Sequence, residues 1–186
     1  MLLKIISRRT LLKTAFAGAF GLCARQAFPE DRRPVGGISE GRLSLFNIHT
    51  AEKLEVAYRD RRGCYDPEAL VAMDRLLRCH YTQEVARIDI RVIEYLNAVD
   101  NSLGGGNQIH VISGFRSRAY NDLLLREGRR VAPHSLHLAG KAVDFRIPGV
   151  GLKTVRQTAL DLKSGGVGFY PSSGFVHIDC GRTRSW

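Results

Sequence analysis

From Arg42 onward, apolar and polar positions recur with the two periods of regular structure. Leu43, Leu45, Phe46 and Ile48 predict a strand, and Leu54, Val56 and Tyr58 alternate with Lys53 and Glu55 in a second strand that folds back on the first as a hairpin. Asp66-Pro67-Glu68 opens a helix, with aspartate as N-cap and proline at the first position, and Leu70, Met73, Leu76 and Leu77 form its apolar face. A second helix is expected from Asp89 to Leu103, because Val92, Ile93, Leu96 and Val99 recur at helical spacing and Gly104-Gly105-Gly106 ends the run. Then follow a strand at Gln108 to Ile112, a helix at Ser117 to Arg126, a strand at Lys141 to Ile147 and a helix at Leu152 to Lys163. Two strands close the pattern, Gly166 to Tyr170 and Phe175 to Cys180, before a polar tail ending at Trp186. This mixed order predicts an α+β fold, a small antiparallel sheet with helices packed on it.

The first residues follow a different pattern. Lys4, Arg8 and Arg9 precede an uncharged run of apolar and small residues from Thr14 to Cys23, which is the layout of an export signal. Ser7-Arg8-Arg9-Thr10-Leu11-Leu12-Lys13 resembles the twin-arginine motif, with Leu11 where phenylalanine is usual. The run is short against the about 20 residues that cross a bilayer, so cleavage between Ala24 and Phe28 is expected, with no stable membrane insertion afterwards and residence in the periplasm. Leu22, before Cys23, is not the small residue that lipidation requires. The chain therefore divides into a signal at 1–27, a flexible lead-in at 28–41 and one domain at 42–186.

Composition refines this picture in two places. Of the formal net charge of +10, half comes from Lys4, Arg8, Arg9, Lys13 and Arg25 in the signal. The remaining positive field suits a polyanionic partner, and the export signal argues against nucleic acid. A single domain of this size is expected to act as a monomer. Cys64, Cys79 and Cys180 remain after processing, an odd count that allows one disulfide and one free thiol in an oxidising compartment. Cys64 and Cys79 flank the first helix, whose ends lie roughly 22 Å apart, so a bridge between them needs the flanking loops to fold back.

Three polar residues interrupt apolar or small-residue segments: His137, Asp144 and His177. Strand alternation in Lys141-Ala142-Val143-Asp144-Phe145 sends Asp144 to the face opposite Val143 and Phe145. In Phe175-Val176-His177-Ile178-Asp179 the same rule puts His177 and Asp179 together, opposite Val176 and Ile178. If the two strands pair, Asp144 and His177 share a face. With His137 from the preceding turn they form two imidazoles and a carboxylate, the ligand set of a catalytic zinc with a fourth position for water. Taken singly, each residue is more often a structural polar group than a ligand.

The surrounding motifs change that balance. Ser113-Gly114-Phe115-Arg116-Ser117, Asn121, Ser135-Leu136-His137-Leu138-Ala139-Gly140-Lys141-Ala142-Val143-Asp144, Gly165-Gly166-Val167-Gly168-Phe169-Tyr170, and Phe175-Val176-His177-Ile178-Asp179-Cys180-Gly181-Arg182 with Trp186 together resemble the YcbK-like murein endopeptidases. These belong among the D-alanyl-D-alanine metallopeptidases of the hedgehog-like superfamily. The resemblance extends upstream to Leu43–Thr50 and Leu76-Leu77-Arg78. It implies the corresponding fold, a zinc ion on His137, Asp144 and His177, and hydrolysis of peptide cross-links or stem peptides of peptidoglycan, whose free carboxylates suit a basic protein. Arg116 matches the arginine of the family's Ser-Gly-Tyr-Arg-Ser motif, with Phe115 in place of tyrosine. Its planar charged fork can hold a carboxylate or the oxyanion on a scissile carbonyl, or cap loop carbonyls as a structural residue.

One position departs from the family. Many members place an acid three residues before the last histidine ligand, where this chain has Gly174. Asp179 is the first candidate for the general base, or else a partner that orients a ligand imidazole, and His134 is the second candidate. Ser113 and Ser135 are expected to shape the loops, and Cys180, on the strand face opposite His177, to join the core. Two further readings stay open: a non-catalytic zinc-containing module that binds peptidoglycan, and a D-alanyl carboxypeptidase.

Overall fold

The expected hairpin is present: β1 (Gly41–Asn47) pairs antiparallel with β2 (Lys53–Arg59). The structure is a computed structural model and describes residues 39–129 and 131–186, so the export signal and nearly all of the lead-in lie outside the described residues. After the hairpin come α1 (Pro67–Leu76) and α2 (Ile90–Ser102), then β3 (Gln108–Ser113), α3 (Arg118–Arg126), β4 (Ala142–Arg146), α4 (Leu152–Leu162), β5 (Gly166–Tyr170), β6 (Phe175–Asp179) and β7 (Arg184–Ser185). The helices start close to the expected positions, α1 at its expected cap. The Asp66 carboxylate accepts from the backbone of Glu68 and Ala69, Asp89 from Arg91, and Ser117 from Tyr120, each satisfying an otherwise orphaned amide. Behind α2, Gly104, Gly105 and Gly106 all take positive φ, a conformation that side chains rarely adopt and that stops the helix.

The fold is α+β, but the sheet is neither small nor wholly antiparallel. Its seven strands run in the order β2-β1-β3-β4-β6-β5-β7. β3 lies parallel to β1, because β2 returns the chain to the end where β1 begins and α1 and α2 carry it across to start β3 there. β4 then pairs antiparallel with β3 and β6, and β6 with β5. The tail was expected to be merely polar, yet it adds β7 parallel to β5. Trp186 donates its amide to Val167 O at 3.2 Å and accepts from Phe169 N at 3.1 Å.

One sheet face packs on the helices. Leu43, Leu45, Ile109, Val111, Val143, Phe145, Val176 and Ile178 are buried there with Val92, Ile93, Leu96 and Val99 of α2 and Val155 and Ala159 of α4. Each of these side chains larger than alanine contributes about 1.5–3 kcal/mol by leaving water. Tyr95 ties the two helices together by donating to Ala159 O at 2.7 Å. Cys180 joins this core, and burial pushes its thiol up to about 11. Cys79 and Cys180 are both free and buried, so a Cys64–Cys79 bridge is not formed. The alternate positions of β4 and β6 face the other way, and they carry the chemistry.

Candidate metal centre

Asp144 and His177 stand directly opposite one another in the β4–β6 ladder, as strand alternation predicts. His137 comes from a single 3-10 turn, Leu136–Ala139, capped by Ser135, whose hydroxyl accepts from His137 N. That turn is tied to the loop after β3: Arg116 N donates to His137 O at 3.1 Å, and His137 Nδ1 donates to Gly114 O at 2.7 Å. Ser113, beside Asp144 at an irregularity of the β3–β4 register, starts the loop that supplies both partners.

Both histidines have one ring nitrogen engaged by an acceptor outside the cluster. His137 gives its Nδ1 proton to Gly114, and His177 gives its Nε2 proton to Asp179 Oδ2 at 3.2 Å. The free nitrogens then turn on Asp144 Oδ1, His177 Nδ1 at 2.7 Å and His137 Nε2 at 3.3 Å, and stand 3.2 Å from each other. Three electron-pair donors thus converge on one point with no proton of their own between them, an arrangement that a cation resolves. All three residues are buried, and they form a cluster able to hold a metal ion.

The electrostatics agree with that geometry. Burial pushes the Asp144 carboxyl up, but the His137 and His177 imidazoles outweigh it and hold the group well below the usual carboxylate range. Burial lowers His177, yet Asp144 and Asp179 together hold it above its ordinary value.

Asp179 is fully buried and fully engaged. Besides His177, it accepts from Gly181 N at 2.8 Å and from both Arg184 nitrogens, at 3.0 and 2.7 Å. These partners outweigh its burial and keep it ionised. Arg184 and Gly181 are site residues that the sequence reading missed; the signal was the Arg184-x-Trp186 spacing, which puts both on one side of a strand. The glycines of β5 make room for them: a Cβ on Gly166 would collide with Arg184 and Asp179, and one on Gly168 would stand 2.8 Å from the Trp186 ring. Trp186 lies 5.2 Å from the His177 ring, and its Nε1 donates to Tyr170 Oη at 2.7 Å.

Arg116 closes the opposite side. It is 8% exposed, with one nitrogen 3.9 Å from Asp144 Oδ2 and another donating to Asn121 Oδ1 at 3.3 Å. Its Nε is buried without a partner among the described residues. Asn121 fixes the arginine and itself donates to Ala132 O at 3.3 Å, a role its motif did not reveal. His134 lies on the exposed turn before His137, and no hydrogen bond among the described residues joins it to the three converging residues.

The arrangement occurs on a chain with close relatives. Residues 38–186 match the peptidase M15 family model described as "Peptidoglycan L,D-endopeptidase MepK". The chain is 39% identical over 145 residues to the "Probable peptidoglycan L,D-endopeptidase MepK" of Haemophilus influenzae, covering 77% of each. It is 38% identical over 144 residues to the "Peptidoglycan L,D-endopeptidase MepK" of Escherichia coli K12, covering 77% of this chain and 79% of that one. A match over the whole described domain, with two imidazoles and a carboxylate at its centre, places the chain in the M15 family of peptidoglycan L,D-endopeptidases.

Proposed function

We propose that this chain is a zinc-dependent endopeptidase that hydrolyses peptide bonds in peptidoglycan cross-links, with His137, Asp144 and His177 as the metal ligands. The observation that carries the reading is the convergence of His137 Nε2, His177 Nδ1 and Asp144 Oδ1, with both ring tautomers fixed from outside. Two neutral imidazoles and one carboxylate suit zinc and leave it a net positive charge. Zinc held there supplies Lewis acidity, lowering the pKa of water to about 7 and polarising a carbonyl.

The remaining tasks fall to the chain's own groups. Arg116, with a terminal nitrogen 3.9 Å from Asp144 Oδ2, is our candidate to hold the carbonyl oxygen as it gains charge. Asp179 accepts from His177, Arg184 and Gly181, an occupancy that favours the orienting role over that of base. His134 is the exposed titratable group on the loop leading into His137 and is our candidate to carry a proton from water to the leaving amine. The protein acts as a monomer in the periplasm after twin-arginine export. Among the described residues no helix is long and apolar enough to cross a membrane.

Incubating the zinc-loaded mature protein with purified peptidoglycan tests the reading, with the released muropeptides identified by mass spectrometry. Release of un-crosslinked peptides supports it. Release of terminal D-alanine alone marks a carboxypeptidase, and binding without products marks a non-catalytic module. Substituting lysine for Arg8 and Arg9 should hold the protein in the cytoplasm if the export assignment is right.

A further inference from the structure

A second row of side chains runs beside the metal ligands. Lys53 of β2 pairs with Phe46 of β1, Phe46 with His110 of β3, and His110 with Arg146 of β4. Arg146 follows Asp144 by two residues on the same strand, so this row shares the sheet face of Asp144 and His177. Two residues of strand rise by about 6.6 Å, which sets the offset between the rows.

The row is built by contacts along its length. The Lys53 ammonium lies 5.8 Å from the centre of the Phe46 ring, and Phe46 meets His110 edge to face at 4.9 Å. His110 Nε2 approaches Gln108 Oε1 at 3.2 Å, while its Nδ1 is buried without a partner among the described residues. Partial burial, then the charges of Arg146 and Lys53, lower the pKa of this ring, so both cations bear on it. Lys53 and Arg146 are exposed, and neither is in a salt bridge among the described residues. The Arg146 guanidinium reaches over the β5–β6 turn, 3.8 Å from where a Cβ on Gly174 would stand. Glu55, an acid on this face outside the cluster, pairs with Ser44 on the side of the row away from the metal ligands.

An unpaired guanidinium takes a carboxylate through two parallel hydrogen bonds, and it is weakly hydrated enough to release its water cheaply. Half-buried Phe46 and His110 offer an aromatic floor beside it, and Lys53 extends the positive field to the far end. We propose that Arg146, backed by His110, Phe46 and Lys53, is a subsite that holds a free carboxylate of the peptidoglycan stem peptide one to two residues from the bond at the metal. The inference rests on the peptidase reading and deepens it, because the row selects which peptides are cut.

Two synthetic cross-linked stem peptides provide the test, one with free carboxylates and one with those carboxylates amidated. Zinc-loaded wild type should favour the free-acid peptide by about 10- to 100-fold in kcat/KM, the worth of one charged hydrogen-bonded contact, with the difference in KM. Arg146→Gln should treat the two peptides alike, and Arg146→Lys should keep part of the preference. Arg146 is exposed, and a circular-dichroism melt confirms that each variant folds. Equal rates for both peptides on the wild type, an undiminished preference in Arg146→Gln, or an equal loss on both peptides would each overturn the subsite. If the wild type cuts neither peptide, the peptidase reading fails instead. Calorimetric binding of the two peptides to the same zinc-loaded protein and to Arg146→Gln then decides the subsite by the same preference.

Discussion

Asp144 Oδ1 lies 2.7 Å from His177 Nδ1, directly across the β4–β6 ladder, so the two central residues are set by strand register and not by a loop. A carboxylate and an imidazole fixed in this way lose little entropy on binding a cation, and neither can be replaced from elsewhere. His177→Ala and Asp144→Asn should each lower zinc affinity by more than about 100-fold, exceeding the effect of outer partners. Metal content after dialysis, measured by mass spectrometry, checks this; one full equivalent retained by either variant would remove that residue from the ligand set.

Arg184 acts through Asp179. Arg184→Ala removes two donors from a fully buried carboxylate and loosens the hydrogen bond that presents His177 Nδ1 to the site. Zinc affinity should fall by about 10- to 100-fold, the usual effect of an outer hydrogen-bond partner. Chelator competition measures it. Arg184→Lys should recover only part, because an ammonium cannot span both oxygens.

Trp186 is the only tryptophan in the chain, and its ring lies 5.2 Å from that of His177. Adding zinc to the metal-free protein should therefore change the intrinsic emission and saturate at one equivalent. Gly168→Ala, which puts a methyl group 2.8 Å from the ring, should displace the tryptophan and reduce this response. Emission that ignores zinc would separate the ring from the metal centre.

His80 offers a pH signature away from the proposed metal ligands. Burial first, then the stacked His49 ring and the Arg116 charge, lower it to about 4 from 6.5. Above pH 6.5 the ring is neutral in both folded and unfolded chains and has no effect on the balance. Between 6.5 and about 4 the unfolded chain takes up a proton that the folded one refuses, so stability falls as pH falls through that window. The group is half-buried, so water screens part of the effect. The wild-type melting temperature minus that of His80→Asn should therefore fall as pH drops through this window and stay constant above it.

Most of the fold was legible because its signals are local. The N-caps Asp66, Asp89 and Ser117 and the stop at Gly104 bound their helices where the sequence puts them, and alternation assigned every face of β4 and β6. The mixed character of the sheet was not legible, since a parallel pairing such as that of β1 with β3 leaves no mark on either strand. Of the site, His137, Asp144 and His177 stood out as polar breaks in apolar segments. Their orienting partners did not: Gly114 works through a backbone carbonyl, which any residue has, and Arg184 lies in a segment that reads as a tail.

The two-residue strand β7 carries more than its length indicates. The buried apolar residues of the core all precede Gly181, so a chain shortened by residues 182–186 keeps its hydrophobic centre intact. It would lose the arginine that clamps Asp179 and the indole beside His177. The centre is therefore lost before the core at this end of the chain: a late frameshift or exoproteolytic trimming should cost some stability and all of the competent centre while the hydrophobic core stays in place, and intact secondary structure alone is a poor proxy for an active preparation.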